Sequence, residues 1–189
     1  MSVNHAVVSA RGARRWHSGH PWIFRSDIVQ APQSPPGAVP VRDQQGRALG
    51  IALWSPESEI SLRLLDPDPD ARINEAWWHK QIAKALARRE PVSAHTNAYR
   101  IVHGEGDGLP SLVADRFDRW VVVQLLSAGL EAFREEIVEA IRSLTGCDGI
   151  LARNDASVRT REGLSRLVEP LWGEVPAEVE VMEHGVRYL

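Results

Sequence analysis

The five residues Asp66–Asp70, which read DPDPD, divide the sequence into two parts of different character. Alternating proline and aspartate excludes a helix or a central strand, because proline lacks a backbone donor and restricts the residue before it. We therefore place a domain boundary here, between residues 1–68 and 69–189. A calcium loop is the alternative, but the stretch lacks the glycine and the twelfth-position glutamate that such a loop uses.

Before this boundary the sequence has short apolar stretches separated by proline, glycine and other turn residues. They predict five strands: Ala6–Ser9, Trp22–Ile28, Ala38–Arg42, Leu49–Trp54 and Ser61–Leu65. Several short strands at this spacing are typical of a small β-barrel. The first domain is therefore expected to be such a barrel.

After the boundary the apolar residues recur with a helical period and then alternate. This pattern predicts two main helices, Ile73–Arg89 and Leu130–Leu144. It also predicts four strands and a final hairpin: Tyr99–His103, Ser111–Arg116, Trp120–Leu125, Gly149–Arg153, and Glu178–Met182 with Val186–Leu189. The fold class is thus α+β, in which a barrel is followed by a central α/β domain with a mixed or antiparallel sheet.

Positive charge is concentrated in the first third of the chain, although the formal net charge is -3. Residues 1–65 hold seven arginines against four acidic residues, a balance of +3 that leaves -6 for the remainder. A positive surface of this kind suits a polyanion, and arginine suits phosphate. The alternative is a general bias towards arginine, which supplies most basic residues along the whole chain.

The stretch Gly12–Ile28, GARRWHSGHPWIFRSDI, combines this positive charge with aromatic residues. Nucleic-acid contact and an ordinary solvated loop are its two interpretations. A second charged stretch, Arg153–Leu164, contains Arg153, Arg159 and Arg161, which could contact RNA or another domain. Its alternative is a helix start that is capped by Asp155 or Ser157.

The sequence contains no complete catalytic or metal-binding pattern. The glycine-rich turn HGEGDG, His103–Gly108, is followed by strand residues, so it lacks the helix N-terminus that cradles a phosphate or dinucleotide. Glu105 and Asp107 in that turn could form an acid/base pair, but carboxylates on such a turn are usually solvated. Cys147, the single cysteine, lies beside Asp148 and is expected to be inert. We therefore expect no catalytic, cofactor-binding or metal-ligating residue in this chain.

Targeting signals are not evident in the sequence. The N-terminal residues lack the apolar core of a signal peptide, and no apolar run reaches the roughly 20 residues that a membrane span needs. The expected location is cytoplasmic, with no membrane partner.

Four stretches together resemble one protein family: GHPWIFRSDI, YRIVHGEGDGLPSLVADRFDRWVVVQ, RNDASVRTREGL and LWGEVPAEVEVMEHGVRYL. The sequence is similar to the N-terminal portion of the ribosomal large-subunit RNA cytosine-5 methyltransferases that carry a PUA domain. The resemblance implies a PUA-like RNA-binding barrel over residues 1–68 and a central α/β domain over residues 69–189.

In that family the adenosylmethionine-binding Rossmann domain and the catalytic cysteine follow the hairpin at which this sequence stops. We therefore expect no Rossmann domain and no bound cofactor in this chain, and no activity from it alone. S-adenosylmethionine is implied for the full-length family. The implied partners are ribosomal RNA and a C-terminal methyltransferase domain.

The leading hypothesis is an RNA-binding region that recruits large-subunit rRNA to a methyltransferase domain. In this hypothesis Arg11, Arg14 and Arg15 contact phosphates, and Trp16 stacks on a base. His17, His20 and Arg25 supply hydrogen bonds or charge, and Trp22 belongs to the core. The alternative is a non-enzymatic protein-interaction or ribosome-assembly module, which would form a homodimer.

Overall fold

The computed structural model describes residues 4–189. These residues form two compact units. Unit 1 consists of residues 4–73, 126–133 and 157–164, and unit 2 consists of residues 74–125, 134–156 and 165–189. The division predicted between residues 68 and 69 therefore differs from the structure, since two later segments pack with the N-terminal part.

Helices and strands are numbered here in chain order. The strands are β1 Ala6–Val8, β2 Trp22–Ile23, β3 Ile28–Gln30, β4 Gly37–Asp43, β5 Ala48–Trp54, β6 Leu62–Asp66, β7 Ala98–His103, β8 Leu112–Phe117, β9 Trp120–Leu125, β10 Gly149–Asn154, β11 Leu167–Gly173, β12 Val181–Glu183 and β13 Val186–Tyr188. The helices are α1 Ala10–His17, α2 Glu75–Ala87, α3 Glu90–Ser93, α4 Ala128–Glu131, α5 Arg134–Thr145 and α6 Val158–Arg161.

Unit 1 is built on a six-stranded sheet with the order β2-β6-β5-β4-β1-β3. Only β1 and β4 pair in parallel; the other neighbours are antiparallel. The edge strands β2 and β3 are joined by a short 3-10 turn, Arg25–Asp27, but no ladder joins them within residues 4–189. The predicted barrel is therefore only partly closed, because the single strand expected over Trp22–Ile28 is broken by this turn.

Two short segments from later in the chain complete unit 1 through a buried ion pair. The Arg63 guanidinium donates to a Glu162 carboxylate oxygen at 2.7 Å, and both side chains are at most 5% exposed. The other carboxylate oxygen of Glu162 accepts the N–H of Ala128, at the start of α4. Residue 129 is a glycine that lies against β5, where a Cβ would come within 2.7 Å of the Trp54 carbonyl oxygen. These contacts attach both later segments to the sheet.

Unit 2 contains a five-stranded mixed sheet with the order β11-β10-β9-β8-β7. Strands β9 and β10 are parallel, and the chain between them contains α5. Helices α2 and α5 pack together and bury apolar residues that recur at helical spacing, namely Trp78, Ile82, Ile137 and Ile141. The hairpin β12–β13 forms a separate two-stranded sheet. Strand β11 was not predicted.

The predicted helix Leu130–Leu144 is two helices in the structure. Its apolar stripe is continuous, but α4 ends at Glu131 and α5 begins at Arg134. Leu130 is buried in unit 1, whereas Ile137 and Ile141 belong to the core of unit 2. The residues of this one apolar stripe are therefore divided between the cores of unit 1 and unit 2. Among residues 4–189, no helix is long and apolar enough to cross a membrane.

Candidate nucleic-acid interface

Helix α1 carries most of the residues that were predicted to bind RNA. Ser9 caps its start, where the hydroxyl accepts the N–H of Gly12 at 3.2 Å. Arginine and histidine occupy its last turn, where positive charge suits the C-terminal end of the helix dipole. Its inner face is formed by Gly12, Ala13 and Trp16, which leaves the basic residues on the outer side.

Two of these arginines converge on one buried carboxylate, Asp27, which is 1% exposed. Arg11 donates from Nε to Asp27 Oδ1 at 2.5 Å, and Arg15 Nε lies 3.3 Å from Oδ2. The Arg15 guanidinium also lies over the Phe24 ring, 5.0 Å from its centroid. Asp27 and Phe24 were not predicted as site residues, because they are too far from α1 in sequence for a local pattern to pair them.

Arg14 and His17 lie three residues apart on the exposed side of α1. Neither side chain forms a hydrogen bond or ion pair with any residue of the described part of the chain, residues 4–189. The charge of Arg14 and the hydrogen-bonding groups of both side chains are therefore free to meet a ligand. Together with Arg11, which is 60% exposed, they form a basic ridge along α1, defined here as Arg11, Arg14 and His17.

His20 and Arg25 are used mainly inside unit 1. His20 Nδ1 accepts the backbone N–H of Trp22 at 3.1 Å, which makes a local turn. Arg25 donates to the carbonyl oxygens of Pro56 and Glu57 and thereby holds the loop after β5. The structure therefore gives both residues a structural role, and their part in RNA contact stays a prediction.

Trp16 was predicted to stack on a base, but the structure gives its ring a place in the core, and the stacking role stays a prediction. Its side chain is only 7% exposed and packs in the core of unit 1. Gly50 makes room for the Trp16 ring, because a Cβ at this position would lie 2.7 Å from it. The φ angle of Gly50, +142°, also favours glycine. Trp22, predicted to be core, is half-buried instead, with its ring edge-on to His20.

The second charged stretch is divided by the structure. Arg159 is 2% exposed and donates to Glu131 at 2.8 Å within unit 1, so the structure gives it a structural role, and its contact with RNA or another domain stays a prediction. Arg161 is exposed. Arg153 pairs with Asp155 on the surface of unit 2, where hydrogen bonding from Arg153 lowers the pKa of Asp155. Ser157 occupies the N-cap position of α6 without a side-chain hydrogen bond.

The glycine-rich turn HGEGDG is a structural anchor of unit 2. Residues Gly104–Asp107 form a 3-10 turn between β7 and β8, so the turn opens no helix. The Asp107 carboxylate is 3% exposed and is held by Arg89 through two hydrogen bonds of 2.6 and 2.7 Å. Arg88 and the His103 N–H also donate to it. The Asp107 carboxylate is therefore already occupied by contacts within unit 2.

Acid should weaken this anchor. Burial alone would raise the pKa of Asp107, but hydrogen bonds from Arg89 and the His103 N–H lower it below its ordinary value. A lowered folded-state pKa stabilises unit 2 above the unfolded value, and this stabilisation is lost as the pH falls through the folded pKa. We expect Asp107→Asn to destabilise unit 2 at neutral pH and to flatten its acid dependence, as measured by urea unfolding at a series of pH values.

The matched control for this prediction is Glu178→Gln, which changes an exposed carboxylate of unit 2. It should unfold like the unchanged protein at every pH. If the stability of Asp107→Asn falls with pH in the same way as that of the unchanged protein, Asp107 is not the cause of the acid dependence.

No group of three or more histidine, cysteine or acidic side chains within residues 4–189 is arranged to hold a metal ion. Cys147 is buried and free.

Comparison with known families identifies the first part of the chain. Residues 7–67 match the family of PUA-like domains. The match spans unit 1 from β1 to β6 and includes α1 with its basic ridge. The PUA-like character that was predicted for the N-terminal domain is thereby confirmed.

Over most of its length the chain is similar to curated proteins named ribosomal RNA large subunit methyltransferase I. It is 36% identical to the protein from Tolumonas auensis over 170 residues, which cover 88% of this chain and 43% of that protein. It is 34% identical to the proteins from Cronobacter sakazakii and Escherichia coli, covering 90% of this chain and 44% of each. The chain thus spans less than half the length of these relatives.

Solved structures with the same fold come from methyltransferases. One is a protein from Streptococcus mutans assigned as SAM-dependent, with a TM-score of 0.79, and another was solved with SAH, with a TM-score of 0.81. Each is 19% identical and matches 96% of this chain and 46% of the other. At this identity the likeness shows the fold alone.

This likeness corrects the fold class predicted from the sequence, which excluded a Rossmann domain. The exclusion is wrong, because one neighbour that shares the fold is assigned as a SAM-dependent methyltransferase and another is a methyltransferase solved with SAH. Unit 2 contains one parallel pair, β9–β10, with α5 in the connection, while the other neighbours in its five-stranded sheet are antiparallel. The sequence left open whether this sheet is mixed or antiparallel, since periodicity does not reveal whether a pair is parallel.

Proposed function

We propose that unit 1 is an RNA-binding module of an S-adenosylmethionine-dependent rRNA methyltransferase, where it recruits and positions large-subunit rRNA. The observation that carries the proposal is the basic ridge of Arg11, Arg14 and His17 on the exposed side of α1. It lies in the part of the chain that matches PUA-like domains.

The charges of unit 1 support this role. Asp27 offsets one of the two arginines that approach it, which leaves a net positive charge beside the unpaired Arg14 and His17. Arginines on one helical face, three residues apart as Arg11 and Arg14 are, can meet successive phosphates of a nucleic-acid backbone. Contacts of this kind give affinity that falls steeply with salt.

The finer parts of the proposal come from the sequence resemblance and from the named relatives. In these finer parts, the methyl group is transferred to C5 of cytosine, and S-adenosylmethionine is the cofactor of the full-length enzyme. A C-terminal methyltransferase domain as the catalytic partner, and a homodimer, also stay predictions. Mass spectrometry of rRNA from cells with and without the gene would test the modified base.

The RNA proposal is tested by the salt dependence of binding. We expect an rRNA fragment to bind the chain, and Arg14→Ala to reduce the slope of log affinity against log salt by about 1, or about 0.7 for a single strand. The reason is that one phosphate contact and its released counterions are lost. Fluorescence anisotropy over a range of salt concentrations measures this slope.

The control is Arg187→Ala, which removes an arginine of unit 2 whose side chain is 74% exposed. Its slope should equal that of the unchanged chain. Equal slopes for Arg14→Ala and Arg187→Ala would exclude Arg14 from the interface. Failure of the unchanged chain to retain RNA at low salt would overturn the proposal and favour the protein-interaction alternative.

A further inference from the structure

Arg15 differs from the other basic residues of α1 in how it is held. Its guanidinium lies over the Phe24 ring, 5.0 Å from the ring centroid, and its side chain is 32% exposed. A cation over an aromatic face is attracted by the ring quadrupole, and arginine also stacks through its plane. One face of the guanidinium is therefore supported by protein, while part of the side chain remains open to solvent.

Asp27 fixes Arg15 from a second direction. Its buried carboxylate lies 3.3 Å from Arg15 Nε, close enough for strong attraction. The two atoms do not form a hydrogen bond, and neither has another partner within residues 4–189. Arg15 is therefore held by charge and by the ring rather than by a two-pronged hydrogen bond, which would occupy its terminal nitrogens.

The terminal nitrogens of Arg15 remain available as a result. Neither donates a hydrogen bond to any residue of the described part of the chain. By contrast, Arg11 spends its donors on Asp27 and Ser26. Arg15 thus combines a fixed plane, a partly open surface and unused donors, and these are the features of a guanidinium on which a base can stack.

We propose that Arg15, supported by Phe24 and Asp27, is the stacking platform for one unpaired nucleobase of the bound RNA. This inference rests on the proposed function and deepens it, since it selects single-stranded over fully paired RNA. It also supplies the planar group that the buried Trp16 cannot offer. Arg14 and His17 contact the phosphates beside that base.

The test compares the affinity of a single-stranded oligoribonucleotide that carries 2-aminopurine with that of its duplex. We expect the single strand to bind more tightly and its fluorescence to change on saturation. Arg15→Lys keeps the charge but removes the plane, so it should weaken single-strand binding about tenfold. Because the charge is retained, the salt slope should stay unchanged.

Variants of Phe24 provide the second readout. Phe24→Leu removes the aromatic support and should weaken single-strand binding, whereas Phe24→Tyr keeps the ring and should bind like the unchanged chain. Thermal melting establishes that each variant is folded. If Phe24→Leu does not fold, the contrast between Arg15→Lys and Phe24→Tyr still decides the question.

The outcomes separate this inference from the proposed function. If Arg15→Lys binds as tightly as the unchanged chain with the same fluorescence change, while Arg14→Ala still lowers the salt slope, the platform is excluded and RNA binding stands. If duplex binds as tightly as single strand, the platform is likewise excluded. If the unchanged chain binds neither, both proposals fail.

Discussion

Glu162→Ala should lower the free energy of unfolding of unit 1 by about 3–5 kcal/mol, because it leaves a buried guanidinium without its counter-charge. Arg63 is 5% exposed, and no other acidic side chain of residues 4–189 pairs with it. The substitution also removes the acceptor for the Ala128 N–H. Hydrogen exchange with mass spectrometry should show faster exchange in β5, β6, α4 and α6, while the sheet of unit 2 keeps its protection.

Two comparisons make this result specific. Arg153→Ala breaks an exposed pair in unit 2 and should leave exchange in unit 1 unchanged. The double variant Arg63→Met with Glu162→Leu replaces the ion pair with apolar groups, so it should be more stable than Glu162→Ala. Equal exchange in Glu162→Ala and Arg153→Ala would show that the buried pair does not hold the later segments.

Trp16→Ala should destabilise unit 1 by about 3–5 kcal/mol, the usual loss when a large buried aromatic side chain is deleted. The ring belongs to a buried apolar cluster that includes residues of β1, β4, β5 and β6. Thermal melting measures the loss. The exposed Trp172 of unit 2 offers the control, since Trp172→Ala should change the melting temperature little.

The same residue distinguishes core packing from base stacking. Trp16→Phe keeps most of the buried apolar surface, so we expect a folded chain that binds RNA with unchanged affinity. A folded Trp16→Phe variant that loses RNA binding would instead support the stacking role predicted from the sequence.

The sequence predicts the regular elements well where one face is apolar over many residues. Strand Trp120–Leu125 has the same bounds in prediction and structure, and the long helix α2 differs by two residues at each end. Turn chemistry also identified the hairpin from β7 to β8. These features depend on residues close together in the chain, which is why local patterns reveal them.

The failures concern partners far apart in sequence. Arg159 has the sequence of a surface arginine, and only the fold brings Glu131 to it. Trp16 sits among arginines, but the short α1 turns it inward against Gly50. The end of α4 at Glu131 could not be predicted either, because the apolar residues keep the same helical spacing across it. Charge and periodicity therefore indicated α1 as the candidate interface. Asp27 and Phe24, which support the arginines of α1, could be identified only from the folded structure.

The ion pair between Arg63 and Glu162 also constrains the order of folding during synthesis. Its two residues are separated by 99 positions, so the N-terminal sheet emerges from the ribosome long before its last partner does. Until then Arg63 lacks its counter-charge, so unit 1, whose sheet is translated first, is completed only after residues 157–164 have been synthesised. Nascent chains arrested before Glu162 emerges should be more sensitive to protease in β5 and β6 than chains arrested after it.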